Sequence, residues 1–189
     1  MSIVKRRWFK ALIILGVLAA GVFGGGILYF RWKFPYGPSH CCDKCLMFAL
    51  DQYAEDHGGN YPAGEASPEA SLSLLYPRYE PTGEILRGKT VPLEVVQPIL
   101  ERGGRLGPDT CGWHYVEGLR LDDDPRLALC WDKARLGHNG QRTADGGTAV
   151  LFVKLGYEYI PGSKWNEFLA EQEKLLAEHN EKKLARPNP

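Results

Sequence analysis

The residues best suited to chemistry sit together near the N-terminal third of the chain: His40, Cys41, Cys42, Asp43, Lys44 and Cys45. Cys42 and Cys45 form a CxxC. At the start of a helix, backbone N–H groups and the helix dipole stabilise the first thiolate, which suits thiol–disulfide exchange. No βαβ pattern surrounds the motif, and Cys41 offers a rival partner. His40, Cys41, Cys42 and Cys45 could also ligate zinc, although a tetrahedral site usually draws on two separated pairs. Cys111 and Cys130 could supply that second pair only if their segment folds back onto this one. Structural thiols, or a disulfide near the membrane, are the plainer reading of Cys42 and Cys45. For Cys111 and Cys130 the expectation is a disulfide joining two strand-bearing segments, a contribution of about 3 kcal/mol for such a loop.

Two other groups are weighed. Asp122, Asp123 and Asp124 share a turn between strands, and clustered carboxylates suit Ca²⁺, which takes 6–8 oxygens. They lack an alternating Asp-x-Asp pattern, so a solvated acidic turn is favoured. His138 with Asp132 and Asp145 could serve a hydrolase as general base. No Ser or Cys nucleophile stands in a recognisable elbow nearby, and the sequence supports no catalytic residue and no resident cofactor.

The elements that must position these groups begin with an apolar run from Ala11 to Phe30, 20 residues without a charged, amide or His side chain. A helix of that length rises about 30 Å, the thickness of a bilayer's hydrocarbon core. Lys5, Arg6, Arg7 and Lys10 precede it and Arg31 and Lys33 follow, a bias that keeps the N-terminus cytoplasmic and the remainder across the membrane. The apolar run exceeds the core of a signal peptide, so an uncleaved anchor is expected. The formal net charge of zero hides an asymmetry: beyond residue 34 there remain 17 basic and 23 acidic side chains, a net of −6. That argues against nucleic acid as a partner.

Beyond the anchor (residues 1–34), Pro35, Gly37 and Pro38 break the helix. An amphipathic helix is expected over Cys41–His57, with Leu46, Met47, Leu50, Tyr53, Ala54 and His57 on one face. Gly58-Gly59 stops it. Ser67-Pro68-Glu69 starts a short helix to Tyr76, residues 77–90 read as irregular, and Leu93–Arg102 reads as a third helix. Trp113–Val116, Leu127–Trp131, Ala149–Lys154 and Tyr157–Ile160 read as strands, with a hairpin turn at Leu155-Gly156. Ser163 then caps a long helix whose face carries Trp165, Phe168, Leu169, Gln172, Leu175, Leu176 and His179. The expected class is α+β, with helices packed on one side of a small antiparallel sheet. It divides into a globular domain over residues 35–162 and a C-terminal helix and tail over 163–189.

Two blocks carry a family resemblance. The first is Ala49-Leu50-Asp51-Gln52-Tyr53-Ala54-Glu55-Asp56-His57-Gly58-Gly59-Asn60-Tyr61-Pro62. The second is Trp131-Asp132-Lys133 and His138-Asn139-Gly140, followed by Thr148–Val153 running into Gly156 and Tyr157-Glu158-Tyr159-Ile160. The chain resembles the pseudopilins of type II secretion systems and related pilus-like machines, and is similar to bacterial prepilin-type proteins with a late His…Asp-Gly motif. The resemblance implies a pilin-like α+β domain at the inner (cytoplasmic) membrane, facing the periplasm. Its partners would be the bilayer and other membrane or pilin-like subunits. No acid follows Lys10-Ala11-Leu12-Ile13-Ile14-Leu15 where a mature pilin carries its fifth-position Glu, so a permanent tether is expected rather than a filament strut. The competing class is a membrane-anchored thiol-redox or metal-binding protein using Cys41, Cys42 and Cys45.

Overall fold

The computed structural model describes residues 3–39 and 42–185. Its first element, α1, is a single helix over Ile3–Lys33. Within it Leu12–Lys33 has a mean hydropathy of 2.2 and buries none of its length against the rest of the protein. Among the described residues this is the one helix long and apolar enough to cross a membrane. Its C-terminal carbonyls are not left unsatisfied. Arg142 donates its backbone N–H to Lys33 O (2.8 Å) and its side-chain Nε–H to Trp32 O (3.0 Å). A cation there also complements the negative end of the helix dipole.

After the Pro–Gly–Pro break, α2 runs over Asp43–Asp56 and buries Leu46, Met47, Ala49, Leu50 and Ala54. This is the expected amphipathic face, starting at Asp43. Ser67 caps α3 (Pro68–Leu72) through its hydroxyl, which accepts from Ala70 N–H at 3.2 Å. The chain continues as a 3₁₀ turn at Ser73–Leu75. The segment read as irregular contains one helical turn, α4 (Gly83–Leu86), whose Thr82 cap accepts from Glu84 N–H. A four-residue helix is too short to leave a periodic apolar signature. Helix α5 spans Leu93–Glu101.

Strands β1 (Trp113–Tyr115), β2 (Ala128–Asp132), β3 (Thr148–Phe152) and β4 (Gly156–Ile160) form an antiparallel sheet in the order β1-β2-β3-β4. Trp113 faces Asp132, Trp131 faces Val150, and Val150 faces Glu158. The turn between β3 and β4 is made by Lys154 and Leu155, both at positive φ, one position before the expected Leu155-Gly156. Positive φ at both central residues matches the right-handed twist of the strands they join. The last helix, α6, covers Trp165–Ala185.

The sheet differs from expectation in being covered on both faces. Leu129, Cys130, Leu151 and Val153 pack with the buried residues of α2, α3 and α5 in the main core. Ala128, Val150, Ile160, Trp165 and Phe168 form a second cluster, joined by Trp131 and Phe152. Successive side chains of a strand point to opposite faces, so these short, nearly continuous apolar runs serve two layers. Helix α6 is fastened to the start of β2 by buried Gln172, whose Oε1 accepts from Ala128 N–H (2.8 Å) while Nε2 donates to Arg126 O (3.0 Å).

One close approach fixes how the loop after α4 meets β1. Gly88 has φ +67°, and a Cβ there would stand 2.7 Å from Gly112 Cα. Gly103, at φ +73°, has open space around it. Gly103→Ala should therefore cost only the left-handed backbone strain, about 1–2 kcal/mol. Gly88→Ala should cost clearly more and lower the thermal midpoint further, as read by circular dichroism melts of the two variants.

Candidate functional site

The titratable groups that the fold brings together are Asp43, Lys89 and Asp132, three residues far apart in sequence. Asp43 is the first residue of α2, Lys89 lies between α4 and α5, and Asp132 ends β2. All three are buried. Lys89 Nζ donates to Asp43 Oδ1 at 2.7 Å and stands 3.7 Å from Asp132 Oδ2. It also lies 5.5 Å from the centre of the Trp113 ring, a favourable placement for a cation. Asp132 Oδ1 accepts from Ala134 N–H (2.7 Å), while its buried Oδ2 has no hydrogen-bond partner. Burial pushes the Asp132 carboxyl up, with Lys89 and the Ala134 N–H pulling the other way. At the mouth, half-exposed His138 places Nδ1 3.9 Å from Asp43 Oδ2.

This cluster adjoins the junction with α1. Buried Ser39 donates its N–H to Asn139 O at 3.0 Å. Gly140, at φ +80°, lets the strand-connecting loop approach Gly37 O and Ser39, where a Cβ would stand 3.1 Å and 3.2 Å away. The loop carrying His138 to Arg142 therefore grips both the end of α1 and the start of α2. The sequence reading gave Asp132 and His138 to a hydrolase with Asp145. The structure brings two of them to one cluster and leaves the third apart: Asp132 meets Lys89, His138 meets the Asp43 that Lys89 also holds, and exposed Asp145 accepts from the Tyr159 hydroxyl and Gly147 N–H. Lys89 was missed altogether, and Asp43 was noted only as a neighbour of the cysteines. Arg87-Gly88-Lys89-Thr90 reads as a polar turn, and nothing local marks its lysine as buried.

Cys42, Cys45, Cys111 and Cys130 are free thiols. The expected Cys111–Cys130 bridge is not formed, and the sheet register explains it. Tyr115 faces Cys130, and the ladder runs on to Lys133 N–H donating to Gly112 O. Cys111 thus stands four positions along the ladder from Cys130's partner, about 13 Å at the usual rise per residue. A disulfide needs Cα atoms within about 7 Å. Burial pushes the Cys111 thiol up to about 12, and it donates to Leu86 O. At the start of α2, Cys42 occupies the cap position without a side-chain capping bond. Exposed Cys45 one turn on has its thiol pushed up to about 11, first by its hydrogen bond with Cys42, then by partial burial and by the Cys42 and Glu80 charges. His40 and Cys41 lie outside the described residues, and among the described residues no three His, Cys, Asp or Glu side chains gather as a metal site.

The acidic turn is spent on neighbours rather than converging on one point. Asp122 accepts from Arg120 Nε (3.0 Å), Asp123 accepts from Arg120 N–H (2.7 Å), and Asp124 takes Arg126 through both oxygens. Arg126 holds the Asp124 carboxyl down at about 2. With Leu175, Glu178, His179 and Lys182 of α6, this turn lines a crevice of about 310 Å³. His179 Nδ1 stands 3.6 Å from Asp123 Oδ1 there.

Compared with models of known protein families, with curated proteins and with solved structures, the chain matches none of them.

Two outcomes follow from this geometry. Lys89→Met leaves two carboxylates buried without their cation and should cost at least about 3 kcal/mol, read as a fall in the denaturant midpoint. Cys42→Ala removes the largest cause of the raised Cys45 thiol. Its alkylation by iodoacetamide should then reach half-maximal rate nearer pH ~8.5, as followed on the tryptic peptide that begins at Cys45.

Proposed function

We propose that the chain is a non-enzymatic, single-pass membrane protein of pseudopilin-like design. Its acidic α+β domain would serve a structural or assembly role in a secretion, pilus-like or other envelope complex. The observation that carries the reading is α1: no part of the apolar window within Leu12–Lys33 is buried by the rest of the protein. Exposed Leu, Ile, Val and Phe side chains along a whole helix need a hydrocarbon solvent or a partner helix. The basic residues before the apolar run favour an N-terminus in the cytoplasm and a domain on the far side of the inner (cytoplasmic) membrane. The order of elements supports the pseudopilin likeness: an apolar helix, an amphipathic helix, the Gly58-Gly59-Asn60-Tyr61-Pro62 loop and an antiparallel meander. That loop is held as part of the domain, with Tyr61 N–H donating to Leu119 O (3.2 Å) and Arg120 donating to Gly58 O (3.0 Å). The break at Pro35–Pro38 and the grip of Arg142 on the end of α1 fit a tether that holds the domain close to the bilayer.

A second reading is favoured by the adjacent free thiols of Cys42 and Cys45: a membrane-anchored thiol protein that exchanges disulfides at the membrane-proximal end of the domain.

The full chain in its native membrane should resist alkaline carbonate extraction and dissolve only in detergent. Protease added outside the cytoplasmic membrane should digest the domain and spare the N-terminal residues. Cross-linking before solubilisation should capture further membrane subunits. Release by carbonate would remove the anchor, protection of the domain would invert the topology, and a chain solubilised alone would leave no assembly role.

A further inference from the structure

We propose that Lys89 and Asp43 become joined by an intramolecular isopeptide bond, Nζ to Cγ, with Asp132 carrying the proton. The contact of 2.7 Å between Lys89 Nζ and Asp43 Oδ1 puts the nitrogen about 3.5 Å from the carboxyl carbon, the separation of a near-attack arrangement. The lysine side chain is 1% exposed and the aspartate side chain 4% exposed. Amide formation needs a nitrogen lone pair and a protonated leaving oxygen, and one proton passed from Lys89 Nζ to the Asp43 carboxyl across their contact supplies both.

Asp132 supplies the third group. Its Oδ2 stands 3.7 Å from Lys89 Nζ, is itself buried, and has no hydrogen-bond partner. A buried carboxyl oxygen of that kind is suited to hold a proton and pass it on. Its other oxygen is pinned by Ala134 N–H, which fixes the direction in which the free one points. The Trp113 ring closes the side of the amine away from solvent. His138, half exposed near Asp43 Oδ2, marks the side from which the released water leaves.

The step balances without a cofactor or oxidant. Lys89 Nζ, as an amine, attacks Cγ of protonated Asp43, and the C–N bond forms. Asp132 takes a proton from the nitrogen and returns one to the departing hydroxyl. The C–O bond breaks and one water leaves, so that an ammonium and a carboxylate have become an amide and water. The product ties the first residue of α2 to the loop after α4. Force transmitted along the anchor would then meet a covalent brace before it could peel α2 from the domain. This inference rests on the buried cluster alone and stands whether or not the assembly role holds.

The test is the intact mass of the full chain in detergent. The expected mass is one water below that of the sequence. Tryptic digestion should yield a branched species in which the peptide over residues 34–44 is joined to the peptide over residues 88–102, uncut at Lys89. Asp132→Asn, shown to be folded by circular dichroism, should keep the full mass. Asp43→Asn should lose ammonia in place of water. A wild-type chain at full sequence mass, cleaved normally at Lys89, overturns the proposal. So does a water loss that maps to Asp145-Gly146, where a succinimide would form. A folded Asp132→Asn chain that is still cross-linked overturns the role given to Asp132.

Discussion

A lysine ammonium buried between two carboxylates is the constraint to which the rest of the domain answers. Lys89 can stay in the interior only while Asp43 and Asp132 are held beside it, since an unpaired charge out of water costs several kcal/mol. Those partners come from the start of α2 and the end of β2. The pair therefore sets the position of the amphipathic helix over the sheet more narrowly than apolar packing could. Leu46, Leu50 and Ala54 fix which face of α2 is buried, and the 2.7 Å contact at its first residue fixes where that end stands.

The same corner joins the domain to α1. Ser39 pairs with Asn139, Arg142 caps the end of α1, and Gly140 lets the two stretches meet without a side chain between them. The break at Pro35 and Pro38 thus functions as a bend whose two ends are held. The loop between β2 and β3 does the holding, which gives this long and irregular connection a structural role. On the far face, α6 meets the same loop through Arg135, whose guanidinium carbon lies 5.5 Å from the centre of the Trp165 ring. Its aromatic first turns, Trp165 and Phe168, meet Trp131 and Phe152 across the second layer, and Gln172 pays the backbone hydrogen-bond debt of Ala128 and Arg126.

The thiols divide by environment. Cys111 and Cys130 are buried in the core, and at Cys111 burial pushes the thiol up and so suppresses the thiolate that exchange chemistry needs. Cys42 and Cys45 lie at the N-terminal end of α2, and Cys45 is open to solvent. Cysteine count and compartment suggested pairing, but the spacing of partners in a sheet is set by register, and four positions of offset keep Cys111 and Cys130 apart.

What the sequence determined by itself was what depends on local periodicity and on solvent preference. The apolar stretch of α1, the stripe of α2, the Ser67 cap, the four strands and the face of α6 were all legible, because each repeats at the period of its own backbone. Tertiary structure alone decided which of these met. It put Lys89 beside Asp43 and Asp132, sent Asp145 to Tyr159 instead of His138, gave Asp122 and Asp123 to Arg120 and Asp124 to Arg126, and covered both faces of the sheet. Burial of a charge leaves no local pattern, since Lys89 stands in a turn whose neighbours are all polar or glycine. Its partners are 46 and 43 residues away, and only the closure of the chain around them makes a buried lysine affordable.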